Sequence, residues 1–148
     1  MSTRSRIAIQ SKNGKYKSVY HHYDGYPEGV GVSLCKYFPN YASAVALVSG
    51  GDISFIDWES GKVNYYAKRG SWVEPRGGGD EAWKDVKPQV SKNFEDLIQD
   101  ANNSMGCYLY VYYYKSDEPV CYDLTNDKGQ VVTKATQISI PKSRKAVA

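Results

Sequence analysis

The sequence predicts an α+β fold: an antiparallel sheet with two or three helices packed on one face. Three observations carry that prediction. Short runs near both ends alternate apolar and polar residues, the period of half-buried strands. The stretch 88–105 places apolar residues at helical spacing instead. The runs are joined by tight turns, and strands so joined are antiparallel, because a parallel return needs a crossover of a dozen or more residues. A length of 148 residues suits one domain. It is expected over 1–140, followed by a basic, disordered tail over 141–148.

The elements follow in order. Residues 3–10 form a half-buried strand, with Ile7 and Ile9 on one side and Arg4, Arg6 and Gln10 on the other. Asn13-Gly14 predicts a two-residue hairpin turn, in which both positions take positive φ. The return strand runs from Tyr16 to Tyr23, and Asp24 to Gly29 is dense in turn residues. Val30, Leu34, Tyr37 and Phe38 recur at helical spacing. A second helix runs from Tyr41 to Val48 and closes at Gly50-Gly51. Asp52 to Asp57 reads as an irregular link and Lys62 to Lys68 as a strand. Gly70 to Lys87 reads as a loop with at most a helical turn at Trp83.

From Pro88 the pattern sharpens. Val90, Phe94, Leu97, Ile98, Ala101 and Met105 make one apolar stripe of a helix ending at Gly106. Cys107 to Lys115 is a strand with Leu109 and Val111 on one face and Tyr108, Tyr110, Tyr112 and Tyr114 on the other. Val120 to Leu124 returns, and Gln130 to Ile140 forms the last strand.

Composition narrows the classes. With 41% hydrophobic and 24% charged residues, the chain is neither disordered nor collagen-like. The three cysteines, Cys35, Cys107 and Cys121, have no C-x-x-C spacing, so they read as buried thiols in a reducing compartment. Neither a secretory h-region nor an apolar run long enough to span a bilayer is present, so the expectation is a cytoplasmic protein with no membrane partner. The net charge of +3 hides an asymmetry. Residues 1–20 and 128–148 each hold five basic residues and no acid, whereas 21–127 hold 9 basic and 16 acidic residues. If the terminal strands lie together, their charges make one positive face suited to phosphates.

Three constellations could carry chemistry. The first is the loop holding both histidines, with Tyr20, His22, Tyr23, Asp24, Tyr26 and Glu28 as candidate ligand-binding residues. His22 and Asp24 lie on one face of an extended strand, and Glu28 can join them around a cation. In the bland reading, Asp24 bonds turn amides and Glu28 caps the next helix. The second is the tyrosine ladder of 108, 110, 112 and 114: a protein or ligand surface, a platform for bases, or a face covered by a helix. The third, Arg76 to Glu81, lacks the Lys-Ser or Lys-Thr of a phosphate loop and reads as a mobile loop. No nucleophile elbow or zinc-protease motif occurs, so no catalytic set and no cofactor are expected. A thiol nucleophile would have to pair Cys35 with one of the histidines.

The loop and its flanks also carry a resemblance. Arg4-Ser5-Arg6-Ile7, the Asn-Gly turn and Tyr20-x-His22-x-Asp24-Gly25-Tyr26-Pro27-Glu28-Gly29-Val30-Gly31 resemble a family of small uncharacterised proteins of tailed phages and prophages. In that family R-S-x-I precedes Y-x-H-W-D-G-Y-P-E-x-x-G. A G-D-[IL]-S segment follows, matched by Gly51-Asp52-Ile53-Ser54, and a Y-x-Y-x-[YF] strand with a Y-D return is matched by Tyr108 to Tyr112 and Tyr122-Asp123. Tyr23 stands where the family usually has tryptophan, and His21 where it often has cysteine. The resemblance implies a phage-encoded accessory protein in the host cytoplasm and no particular reaction. The expected function is binding of a host protein or a small nucleotide-like ligand, in inhibition of host machinery or defence. The alternatives are a nucleic-acid binder using the basic ends and the tyrosines, and a small metal-dependent hydrolase or nuclease at His22, Asp24 and Glu28.

Overall fold

A computed structural model of the protein describes residues 3–67 and 82–143. The first strands are β1 (Ser5–Gln10) and β2 (Tyr16–His21), then a π-helical turn (Pro27–Gly31), α1 (Val32–Tyr37) and α2 (Tyr41–Ser49). Strands β3 (Ile53–Ile56) and β4 (Val63–Tyr65) follow, then α3 (Trp83–Val86), β5 (Gln89–Ser91) and α4 (Phe94–Asn103). The chain ends on β6 (Tyr108–Tyr112), β7 (Val120–Thr125) and β8 (Val131–Ile138).

The α+β class holds, but the sheet is mixed rather than antiparallel. Its order is β4-β3-β2-β1-β6-β7-β8, with β5 paired to β2 beside β3. Strands β1 and β6 run parallel in register Ser5↔Tyr108 to Ile9↔Tyr112, and β2 meets β3 in parallel at His21↔Ile53. Tight turns dictate direction only for consecutive strands, and β6 reaches β1 after a long excursion through helices. The helices also cover both faces rather than one. One core layer joins Ile7, Ile9, Val19, Tyr110 and Tyr112 to Leu34, Leu47 and Val48 of α1 and α2. The other joins Ala8, Tyr16, Leu109, Val111 and Leu124 to Leu97, Ile98 and Ala101 of α4. Each aliphatic side chain so buried is worth roughly 1.5–3 kcal/mol.

Two-sided cover changes the reading of β1. Arg6 lies on the face expected to meet solvent, yet it is 2% exposed, beneath α4. Its Nε donates to Ser18 Oγ at 2.7 Å, and Nη1 reaches Ser104 Oγ at 3.5 Å. Burial lowers its pKa, and Asp52 and Asp100 oppose that shift.

Local chemistry sets the element ends. The first hairpin is longer than two residues. Ser11 N–H donates to Lys15 O, Gly14 N–H to Ser11 O, and Gly14, not Asn13, takes positive φ. This is a type I turn closed by a left-handed glycine. Asn40 and Ser43 form a reciprocal capping box on α2. Asn93 caps α4 by accepting from Asp96 N–H at 2.8 Å, so the helix starts at Phe94 and not at 88. Val90 instead sits in β5 and is 62% exposed. At the other end Met105, not Gly106, takes the left-handed position, with φ 62°.

Two further expectations change. Asp52 to Asp57 is not an irregular link but contains β3, and Cys107 to Lys115 is extended only over β6. The helical turn at Trp83 is α3. The Arg76 to Glu81 loop, Lys68 at the end of the expected strand, and residues 144–148 of the expected tail lie outside the described residues. Among the described residues no helix is long and apolar enough to cross a membrane.

Candidate functional site

The predicted site residues split into a structural group and a cleft group. In the structural group, Asp24 has φ 57°, and its carbonyl accepts from Val30 N–H at 2.8 Å. Gly25 N–H donates to Thr3 O at 2.8 Å, and Gly25 O accepts from Tyr110 Oη at 2.7 Å. A Cβ at Gly25 would lie 2.7 Å from Thr3 O, and one at Gly29 would lie 2.5 Å from Asp24 O. Backbone therefore fills the space that a side chain would need. Tyr26 Oη reaches the Asp24 carboxylate at 3.4 Å. Glu28 lies on the α1 side of the sheet, where burial raises the pKa of Tyr108 and Tyr110 and the Glu28 charge adds a smaller part.

His22 is placed elsewhere. Among the described residues no three His, Cys, Asp or Glu side chains gather as a metal-binding group, so His22, Asp24 and Glu28 do not converge. The reason is the strand period: His22 continues the α4 face of β2, and the chain then turns through left-handed Asp24 to the opposite side.

The tyrosine ladder is not one exposed face. Tyr110 and Tyr112 are 0% exposed, and their hydroxyls donate to Gly25 O and Phe38 O, both at 2.7 Å. Tyr108 is half-buried, and Tyr114 lies beyond the end of β6, edge-on to Tyr41. The two buried tyrosines thus lock the glycine-rich turn and the end of α1 onto β6. Nor do the terminal strands make one basic strip. Strand β1 is central, β8 is an edge, and β6 and β7 lie between them.

The cleft group forms one rung at the end of the sheet. Extending the register Ser5↔His21 by one pair sets Arg4 opposite His22. Extending Ser5↔Tyr108 sets Cys107 on the other side of Arg4, and Cys107 N–H donates to Arg4 O at 2.8 Å. Alternation turns all three toward the α4 face, as for Arg6, Tyr20 and Leu109. They line a cleft of about 760 Å³ with Asn102 and Met105 from the end of α4 and Gly129 to Thr133 of the last hairpin.

Strand β8 reaches the cleft through a bulge. Asp123 pairs with Thr136, but Thr125 pairs with Val131, so β8 carries extra residues there. Such bulges bend a strand and re-aim its side chains.

Aromatic contacts fix the His22 ring. Tyr20 Oη and His22 Nδ1 are 2.5 Å apart, and the Tyr23 ring stands edge-on to His22 with centroids 4.6 Å apart. Burial, opposed by Arg4, pushes the Tyr20 hydroxyl up to about 12, so it stays protonated. Burial and then Arg4 lower the His22 pKa, which favours its neutral form. Asn102 Oδ1, on the cleft wall, is buried without a hydrogen-bond partner among the described residues.

No protein family, curated protein or solved structure matches this chain. Its chemistry therefore rests on its own residues. A second cavity, of about 520 Å³, holds Cys35 and Cys121 with Glu118. Burial pushes the Cys121 thiol up to about 12 and raises Cys35 as well, with Glu118 adding to it, so neither favours the thiolate of a nucleophile. The sequence singles out His22, Tyr20 and Tyr23 but not Arg4, Asn102, Met105 or Cys107, which line the same cleft as His22. The one available signal was that Arg4 is two residues before Arg6 on an alternating strand. The hairpin register that sets it opposite His22 needed the turn length.

Proposed function

We propose that the protein is a phage-encoded accessory protein that works by binding a small nucleotide-like ligand, without turning it over, and so withholds it from host machinery or defence. The observation that carries the reading is the cleft. It joins Arg4 and His22 to an apolar wall around Met105 and Val131, and its volume falls in the roughly 300–1,000 Å³ typical of small-ligand sites. The phage origin rests on the motif from Tyr20 to Gly31. A binding role without turnover is supported by burial, which raises the pKa of both Cys35 and Cys121 and disfavours a thiolate nucleophile.

The test is recovery of the protein from phage-infected host cells, followed by denaturation and mass spectrometry of what is released. A stoichiometric low-mass ligand that is lost from the Arg4→Ala protein is the expected result. Recovery with no ligand from infected cells, at any stage of infection, would count against the reading.

A further inference from the structure

We infer that the cleft is built for a small ligand joining an anionic oxygen head, phosphoryl or carboxylate, to an apolar body; this rests on the cleft being the binding site. The head is assigned by charge and register. Arg4 is exposed, and among the described residues its guanidinium has neither a hydrogen bond nor a carboxylate partner. This sets it apart from Arg6, which Ser18 and Ser104 hold beneath α4. Among the described residues no carboxylate lines the cleft. Opposed residues of an antiparallel pair lie about 5 Å apart. One phosphate or carboxylate held by the Arg4 fork would therefore lie beside the His22 ring. Arginine adds the planar geometry that suits either anion.

The apolar body is assigned by the opposite wall. Met105, 57% exposed, stands there with Val131 and Val132. Two irregularities of the backbone bring these residues to the cleft. Met105 sits at φ 62°, a conformation costly for a side chain with a Cβ, and the bulge in β8 carries Val131 to Thr133 toward the end of α4. Backbone strain of this kind collects at ligand sites.

The test is an NMR titration of the full chain, using the methyl signal of Met105, one of two methionines. The probes are adenosine, adenosine 5′-monophosphate, phenylacetate and inorganic phosphate. AMP or phenylacetate should move the Met105 signal, and which one does so distinguishes a phosphoryl from a carboxylate head. Arg4→Ala should weaken that probe about 10- to 100-fold, the range for losing a charge-assisted hydrogen bond. Lys12→Ala, in the hairpin at the far end of β1, should leave it unchanged. Adenosine matching AMP, with Arg4→Ala without effect, would overturn the anionic head while leaving the cleft as the binding site. Inorganic phosphate shifting Met105 as strongly as AMP would overturn the apolar body. If none of the four probes moves Met105 up to its solubility, both the inference and the binding reading fall.

Discussion

His21 should make the protein sensitive to acid. The ring is 1% exposed, with Nδ1 3.2 Å from Ser5 Oγ and Nε2 buried without a partner among the described residues. Burial, with His22 adding to it, lowers its pKa from 6.5 to about 3. The unfolded chain therefore takes up a proton at higher pH than the folded chain does. The stability is fully present above about pH 6.5, falls as the pH drops below it, and is all lost once the pH passes about 3. At about 1.4 kcal/mol for each pH unit, the whole effect is on the order of 5 kcal/mol, of which about 3 kcal/mol is lost by about pH 4.5. His21→Leu and His21→Asn remove the titration, and the asparagine Oδ1 keeps an acceptor near the position of Nδ1 for Ser5. Each changes absolute stability, so the quantity to compare is the slope against pH. Asp52, whose pKa burial raises, contributes the opposite slope, but it does so in all three proteins and cancels in the difference. Urea unfolding followed by circular dichroism across pH 4–8 gives the free energies. The two variants should lose less stability than the parent below about pH 6.5. Parallel curves for parent and variants would refute the argument, because they would mean that His21 takes up its proton equally well in the folded protein.

Four other substitutions probe the backbone framework. Gly29→Ala should cost about 2–3 kcal/mol in chemical denaturation, since its Cβ would press on backbone, whereas Asp24→Gly, at positive φ, should be neutral or stabilising. If Gly29→Ala is silent, the glycine-rich motif is not held by sterics. Tyr110→Phe should cost about 1–3 kcal/mol, because Gly25 O loses its donor in a buried site; an unchanged thermal midpoint would show that the carbonyl finds another donor. Met105→Gly should raise stability by about 1 kcal/mol by relieving the left-handed backbone, read as a higher melting temperature.

Much of the local structure was legible in the sequence. Alternation marked β1, β2 and β6, and Asn13-Gly14 marked the first hairpin, although only Gly14 took the left-handed position. The apolar stripe marked α4, while Asn93 moved its start by supplying a cap that the stripe does not encode. These features depend on neighbours in sequence, so the sequence alone could determine them. The site was half legible. His22 stood out because histidine is rare in the chain. Arg4 was obscured because a polar residue on an alternating strand gives no sign of what packs over it.

The tertiary structure decided the rest. It placed β6 parallel to β1 and put α4 on the face where Arg6 and Tyr20 lie. It buried Tyr110 and Tyr112 under the α1 layer. A tyrosine has the same alternation on an open face as under a helix, and only the long-range packing tells them apart. The same holds for Arg4, His22 and Cys107. They are separated by 18 and 85 residues along the chain, and one rung of a mixed sheet brings them together.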